Sequence, residues 1–360
     1  MIPSWKSAAP ENERRSNLPW TGPDPPRRAL LIRFHALGDV ALVLPAAAHL
    51  ARRWPATRLD LLTCSPGDSL AVVTGGFGAV HTLPPGRGRI GRVLSAMCMG
   101  LSLRRRKYNL VIDLQRNHLS RLIRLICGPS SWSEFDRFSP LPAPVRVIST
   151  LSSAGIPDPL HEIPVPFTME SASAALRILG DSGWDGSTRL VVFNPAGLWE
   201  TRNWPLSHYV ELYRLWSLRE PVRILALGTE RIREKMAAIS RETGGAVINL
   251  SGRTTPGEAF AILPHASVIV TEDSGLMHMA WAVGVPIVAL FGSSNTVWSA
   301  PRGERAVCLD SSDLECGSCM ASRCRFGDVR CLTRRSPGEV LESALALLDR
   351  VQATSQTQRS

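Results

Sequence analysis

The segment Val270–Gly292, VTEDSGLMHMAWAVGVPIVALFG, carries the residue types best suited to chemistry. It predicts the end of a buried strand, a polar loop, a helix and a second buried strand. Ser274 and Gly275 begin the helix, whose free N–H groups suit a phosphate, and His278 follows one turn later on the same face. Asp273 is acidic and suits a sugar hydroxyl. The alternative is a plain crossover in which Asp273 and Ser274 only cap the helix.

A comparable loop, FHALGDVALVLP, follows the first apolar run of the chain. Gly38 permits a tight turn close to a ligand. Asp39 lies at the start of the next helix, where the helix dipole favours a carboxylate. In this position Asp39 could act as a general base. The alternative is that it is an ordinary helix cap.

Two more loops of interest follow apolar runs in the second half. The first, Asn194–Pro205, contains Arg202, a cation that could neutralise a diphosphate leaving group. Its alternative is an exposed arginine in a loop that Trp204 anchors. Glu230 follows the next apolar run and could bind ribose hydroxyls, as acidic residues do in dinucleotide-binding folds. Equally, Glu230 could be an acidic residue in the first turn of a helix.

Apolar runs alternate with helical patterns along most of the chain, which predicts βαβ units and parallel sheets. We therefore expect an α/β protein with two Rossmann-like domains facing across a cleft. The expected boundaries are a disordered arm over 1–28, an N-terminal domain over 29–170, a C-terminal domain over 171–350 and a disordered tail over 351–360. Pro-rich stretches at 140–144 and 157–166 indicate the connection between the domains.

Individual elements follow from the same patterns. One helix is expected over Val40–Trp54, with Pro45 either kinking it or starting its regular part. Another is expected over Leu94–Arg106, with a basic end. The predicted strands are Ala29–Phe34, Leu59–Thr63, Ala79–Leu83, Leu110–Leu114, Leu190–Asn194, Arg223–Leu227 and Ala246–Asn249.

Composition and charge narrow the class of partners. The formal net charge is +10, and only three of the 41 basic residues are lysines: Lys6, Lys107 and Lys235. Excess positive charge favours acidic partners, but no zinc-finger, RNP or helix-turn-helix signature indicates nucleic acid. No uncharged apolar run is long enough to span a bilayer. The N-terminus has no apolar signal-peptide core, so we expect a cytoplasmic protein.

A cysteine-rich tail extends over 308–331. Cys316, Cys319, Cys324 and Cys331 follow a C-x2-C-x4-C-x6-C spacing. Four sulfurs at this spacing could bind a structural Zn²⁺ tetrahedrally. They could also remain free thiols, or form disulfides, although a reducing compartment disfavours disulfides.

Taken together, these loops resemble glycosyltransferase family 9, the lipopolysaccharide heptosyltransferase family. The resemblance extends from about Ala29 to Leu348. The matching pieces are ALLIRFHALGDVALVLPA, YNLVIDLQ, FNPAGLWETRNWP, LALGTE, NLSGRTTPGEAFAILPHASVIVTEDSGLMHMAWAVGVPIVALFG and the cysteine-rich tail.

The resemblance implies a GT-B fold and an inverting transfer of heptose from ADP-heptose to the inner core of lipopolysaccharide. It implies that Asp39 is the general base and that Arg202 stabilises the leaving diphosphate. Arg202 stands where the family usually has lysine, which keeps the charge but changes the reach. The residues implied in donor binding are Gly38, Glu230, Asp273, Ser274, Gly275 and His278.

No acidic cluster typical of a Mg²⁺ site occurs in these loops, so we expect that the reaction needs no metal cofactor. Two other functions remain open. One is transfer from another nucleotide-sugar or to another acceptor, and the other is nucleotide-sugar binding without catalysis.

An acidic lipopolysaccharide acceptor fits the basic composition. Basic clusters at 104–107 and at Arg14, Arg15, Arg27 and Arg28 could attract the acceptor or the inner face of the inner membrane. We therefore expect peripheral membrane association. Arg116, Arg121 and Arg124 lie in the half where GT-B enzymes bind acceptors.

Overall fold

A computed structural model describes residues 17–156 and 165–357. The chain forms two compact units, residues 1–166 and 167–360. Three parts of the predictions lie outside the described residues. They are Arg14 and Arg15 of the expected arm, most of the Pro-rich 157–166 stretch, and the last residues of the expected tail, 358–360.

The first unit is built on a sheet of five parallel strands in the order β3-β2-β1-β4-β5. Alternate residues of β1 belong to two apolar clusters, with Leu31 in one and Leu30 and Ile32 in the other. The sheet is therefore buried on both faces, as parallel sheets are. The strands are β1 (Arg28–Ile32), β2 (Arg58–Thr63), β3 (Ala79–Thr82), β4 (Leu110–Asp113) and β5 (Ser131–Glu134).

Six α-helices are described in this unit. They are α1 (Leu37–Ala41), α2 (Leu44–Arg53), α3 (Asp68–Val72), α4 (Gly88–Arg104), α5 (His118–Cys127) and α6 (Ala143–Ser152). The single helix expected over Val40–Trp54 is wrong. The helix breaks after Ala41, and Pro45 takes the second position of α2, where its missing N–H costs nothing.

The second unit has a sheet of six parallel strands in the order β11-β10-β9-β6-β7-β8. The predicted α/β class with two Rossmann-like parallel sheets is therefore confirmed. The strands are β6 (Arg189–Asn194), β7 (Val222–Ala226), β8 (Val247–Asn249), β9 (Val268–Glu272), β10 (Ile287–Leu290) and β11 (Ala306–Leu309).

The helices of the second unit connect these strands and cover the sheet. The α-helices are α7 (Met169–Asp181), α8 (Leu206–Ser217), α9 (Arg233–Glu242), α10 (Pro256–Ile262), α11 (Gly275–Ala282), α12 (Thr296–Ser299), α13 (Arg330–Thr333) and α14 (Pro337–Thr357). Three short 3-10 helices cover Glu200–Arg202, Glu230–Ile232 and Leu263–His265.

The expected disordered arm is wrong for residues 17–28. Leu18 pairs with Trp132 of β5 through two backbone hydrogen bonds of 2.8 Å. The Trp20 N–H donates to the Ala154 carbonyl at 2.9 Å. Composition did not predict this segment because its few apolar residues add to a sheet edge that is formed by distant parts of the chain.

The expected disordered tail is likewise wrong for residues 351–357, which belong to α14. Val340, Leu341 and Ala344 of this helix are buried in the apolar cluster of the second unit. Burial of one face stabilises the helix, so it continues into the residues whose composition suggested fraying.

Candidate functional site

The loop after β9 carries the predicted residues Asp273 and Ser274. Ser274 is the N-cap of α11, and its hydroxyl accepts a hydrogen bond from the Met277 N–H at 3.3 Å. The same hydroxyl donates to Oδ1 of Asn194 at 2.7 Å. Asn194 ends β6, so this bond joins the ends of two neighbouring strands. The capping alternative is thus correct for Ser274, and the other N–H groups of the first turn have no acceptor within the helix.

Accessibility separates the predicted residues from the apolar segment around them. Gly275 is exposed, and Asp273, Ser274 and His278 are half-buried, whereas β9 and most of α11 are buried. This polar edge lies at the carboxyl end of a parallel sheet, where ligands bind in open α/β folds.

Arg202 lies beside this edge. It ends the short 3-10 helix after β6, and its guanidinium pairs with the Asp273 carboxylate at 3.0 Å. The same guanidinium stacks over the Trp199 ring at 3.9 Å from the ring centre. Both charged side chains are largely buried. The structure therefore brings together two predicted residues from loops that are 71 positions apart.

Glu272, which the sequence analysis did not single out, joins the same two loops. Its carboxylate accepts from the Gly197 N–H at 2.6 Å and from the Trp204 N–H at 2.7 Å. The side chain is completely buried, and this burial raises its pKa to about 7. Glu272 therefore holds the loop that carries Arg202 against the end of β9.

Lys235 was also missed as a site residue. Its ammonium group donates to Oδ1 of Asn203 at 2.5 Å and to the Pro195 carbonyl at 3.1 Å. The scarcity of lysine was the available signal, because Lys235 is the one lysine of the second unit. Trp204 anchors this loop as the alternative interpretation proposed, since it is buried and its indole N–H donates to the Arg335 carbonyl.

Glu230 begins a 3-10 helix after β7 and is mostly exposed. Its carboxylate pairs with Arg233 at 2.6 Å. It also lies beside Gly252, where an added Cβ would come within 2.3 Å of a Glu230 carboxylate oxygen. Glu230 is therefore accessible at the carboxyl edge of the sheet, but the structure shows no contact between it and the loop of Asp273.

In the first unit, Asp39 lies in the first turn of α1. Its carboxylate accepts from the Ala36 N–H at 3.2 Å and pairs with the Arg33 guanidinium at 2.5 Å. The side chain is 38% exposed, so solvent or a ligand can reach it. The tight turn expected at Gly38 is wrong: Gly38 is buried within α1 and has no positive φ.

Three arginines in the half where an acceptor was expected to bind surround one buried carboxylate. Arg116 and Arg121 lie 3.5 Å and 3.1 Å from the Glu134 carboxylate, and Arg124 also pairs with it. One carboxylate offsets only one of these three positive charges, and Arg116 also pairs with Asp136 at 3.6 Å. Two of these arginines, Arg116 and Arg121, line a cavity of about 450 Å³ together with the exposed Arg137.

The cysteines of the tail are free thiols in the structure, and Cys319 is exposed. The pKa of Cys331 is raised, first by burial and then by the other three thiols of the motif, so the four lie near one another. Within the described residues, no three His, Cys, Asp or Glu side chains are arranged to hold a metal ion. The zinc hypothesis therefore stays a prediction.

Comparisons with known proteins agree with this architecture. A sequence model of glycosyltransferase family 9 (heptosyltransferase) matches residues 153–330. Lipopolysaccharide heptosyltransferase 1 of Pseudomonas aeruginosa is 27% identical over 368 aligned residues, which cover 89% of this chain and 98% of that protein.

Two solved structures share the fold. A family 9 glycosyl transferase from Veillonella parvula has a TM-score of 0.77 at 20% identity and covers 89% of this chain and 97% of its own. The ADP-heptose lipopolysaccharide heptosyltransferase II of Escherichia coli has a TM-score of 0.71 at 20% identity. The match covers 90% of this chain and 99% of that protein. The fold and these relatives define the protein as a glycosyltransferase. The chain matches glycosyltransferase family 9 over residues 153–330 and is similar to a heptosyltransferase over most of its length.

Within the described residues, no helix has both the length and the apolar character needed to cross a bilayer.

Proposed function

We propose that the protein transfers heptose from ADP-heptose to the inner core of lipopolysaccharide with inversion at the anomeric carbon. The observation that carries this proposal is the pairing of Arg202 with Asp273 beside the N-terminus of α11. A cation and free backbone N–H groups at one strand edge suit a nucleotide diphosphate. The similarity to a heptosyltransferase over nearly the whole chain supports heptose as the sugar.

In the second unit, we assign the stabilisation of the leaving diphosphate to Arg202 and the first turn of α11. As the bond between the anomeric carbon and the diphosphate breaks, negative charge grows on the diphosphate oxygens. Arg202 and the N–H groups near Gly275 stabilise that charge. Asp273, already oriented by Arg202, and His278 accept or donate hydrogen bonds to the donor, and Glu230 binds the ribose hydroxyls.

In the first unit, Asp39 takes the proton from the acceptor hydroxyl as its oxygen forms the new bond to the anomeric carbon. The proton ends on the Asp39 carboxylate and ADP leaves with the electron pair. Arg33 holds the Asp39 carboxylate in position before the reaction, since the guanidinium lies 2.5 Å from it. This arrangement supports Asp39 as the base, because the carboxylate is both accessible and held in position.

We further propose that catalysis needs no metal ion, because a cation and backbone donors already face the leaving group. Treatment with EDTA should then leave the rate unchanged, and a loss that Mg²⁺ restores would contradict this part. We place the enzyme on the cytoplasmic face of the inner membrane, where a lipid-anchored acceptor would be found.

The test measures ADP release from ADP-heptose with heptose-deficient lipopolysaccharide as acceptor. Release that depends on the acceptor and is lost in Asp39→Asn supports the proposal. Asp24→Asn is a matched control, since Asp24 is an exposed carboxylate of the same unit. No release from ADP-heptose, with turnover of another nucleotide-sugar, would move the function to a different donor. Binding of ADP-heptose without any turnover would favour a non-catalytic role.

A further inference from the structure

Helix α4 has an apolar face that is open to solvent. Ile90 is 78% exposed, Leu94 54% and Leu101 55%. With Val93 and Met97, which are also exposed, they recur at helical spacing and form one stripe along α4. A different set of residues, Ala96, Gly100 and Leu103, is buried. The helix therefore has one face for the fold and a second apolar face that the described chain leaves uncovered.

The surroundings of this stripe are strongly basic. The segment 69–112 contains no Asp or Glu, and it contains seven basic residues. All seven are exposed, and none is ion-paired with another described residue. They are Arg87, Arg89, Arg92, Arg104, Arg105, Arg106 and Lys107.

A shallow apolar cavity of about 400 Å³ adjoins the same helix. Its lining includes Pro84, Leu94, Cys98 and Met99. Exposed apolar surface with a polar rim is typical of sites that bind a membrane or a protein. The charge favours a membrane over a second copy of this chain. A second copy would bring seven positive charges against seven others, whereas anionic lipid headgroups would compensate the seven charges.

We propose that the exposed face of α4 docks on an anionic bilayer, with Ile90, Leu94, Met97 and Leu101 inserted among the lipid chains and the flanking basic residues on the headgroups. This is the geometry of an interfacial amphipathic helix. The inference deepens the proposed function, because an acceptor that is anchored in a membrane must be reached from the membrane surface.

The experiment is sedimentation of the full chain with phosphatidylcholine vesicles, prepared with and without phosphatidylglycerol. We expect binding to the anionic vesicles that weakens with salt. The double variant Ile90→Glu, Leu94→Glu should bind at least about tenfold more weakly, since two apolar side chains no longer insert. Replacing Arg104 and Arg105 by Gln should weaken binding by roughly fivefold per residue.

Leu218→Glu is the matched control, because Leu218 is a comparably exposed apolar residue of the second unit. It should bind like the wild type. Circular dichroism checks that each variant is folded. Equal vesicle binding by the wild type and the Ile90/Leu94 variant would overturn the proposal. So would a wild-type dimer in analytical ultracentrifugation that this variant abolishes, since the stripe would then bind a second copy.

Activity separates this inference from the proposed function. On a lipid-free inner-core oligosaccharide, the Ile90/Leu94 variant should release ADP at the wild-type rate, and on vesicle-bound acceptor it should be slower. If the wild type uses no ADP-heptose at all, the proposed function fails, while vesicle sedimentation still decides the docking surface.

Discussion

Glu272 offers a test of how burial and hydrogen bonding compete in the second unit. Its carboxylate is fully buried between two backbone N–H donors, with Lys235 near enough to act on it electrostatically. Burial prevails and raises its pKa from 4.5 to about 7. The folded protein therefore holds a proton on Glu272 over a pH range in which the unfolded chain has released it.

The sign of the effect on stability follows from proton linkage. Between pH 4.5 and about 7 the folded state binds more protons, so the free energy of unfolding falls as pH rises. Each pH unit in this window costs about 1.4 kcal/mol, which gives a loss of about 3 kcal/mol across it. Above pH 7, the ionisation of Glu272 no longer changes the free energy of unfolding with pH.

In Glu272→Gln this titration is absent. The amide also places one N–H against the Gly197 or Trp204 N–H, at a cost of about 1–3 kcal/mol that is the same at every pH. We therefore expect the variant to be less stable than the wild type at pH 5. Between pH 5 and pH 8, its free energy of unfolding should rise by about 2–3 kcal/mol relative to that of the wild type.

The assay is urea unfolding followed by tryptophan fluorescence between pH 5 and pH 8. Trp204 and Trp216 are buried in the second unit and report its unfolding. Glu342→Gln, at an exposed site on α14, is the control and should run parallel to the wild type. A difference between wild type and Glu272→Gln that does not change with pH would refute the reasoning. It would mean that the N–H donors and Lys235 outweigh burial and keep Glu272 ionised.

Three further outcomes are expected. Asp39→Asn should lower kcat by about 10²–10⁴-fold with little change in the KM for donor, measured by ADP release, and an unchanged kcat would exclude Asp39 as the base. Arg202→Ala should lower kcat by about 10²–10³-fold, and Arg202→Lys should recover only part, because lysine loses the flat contact with Trp199; full activity of the alanine variant would remove Arg202 from the mechanism. Trp204→Ala should destabilise the second unit by about 3–5 kcal/mol in urea unfolding, and a loss below 1 kcal/mol would show that Trp204 does not anchor the loop.

Several features were predictable because they depend on local chemistry. Val268, Ile269 and Val270 are three successive apolar residues, which is typical of a strand in a parallel sheet. The cap at Ser274 follows from a hydroxyl before a helical pattern. Asp39 at the start of α1 follows in the same way. In each case, the signal lies within a few residues of the feature that it specifies.

Other features depend on partners that are distant in sequence, and the sequence-based predictions missed these features or were wrong about them. Residues 17–28 pack because Leu18 meets Trp132 and Trp20 meets Ala154, more than 100 positions away. The pairing of Arg116 and Arg121 with the buried Glu134 was also missed, because these residues meet only in the folded unit.

The sequence by itself determined the α/β class and the loops at the ends of its strands, because hydrophobic period and helix capping are properties of neighbouring residues. Tertiary structure alone decided which of those loops meet. Glu272, Arg202 and Asp273 become one cluster only because β6 and β9 lie side by side in the sheet. The raised pKa of Glu272 depends on that contact, since burial acts through space and not along the chain.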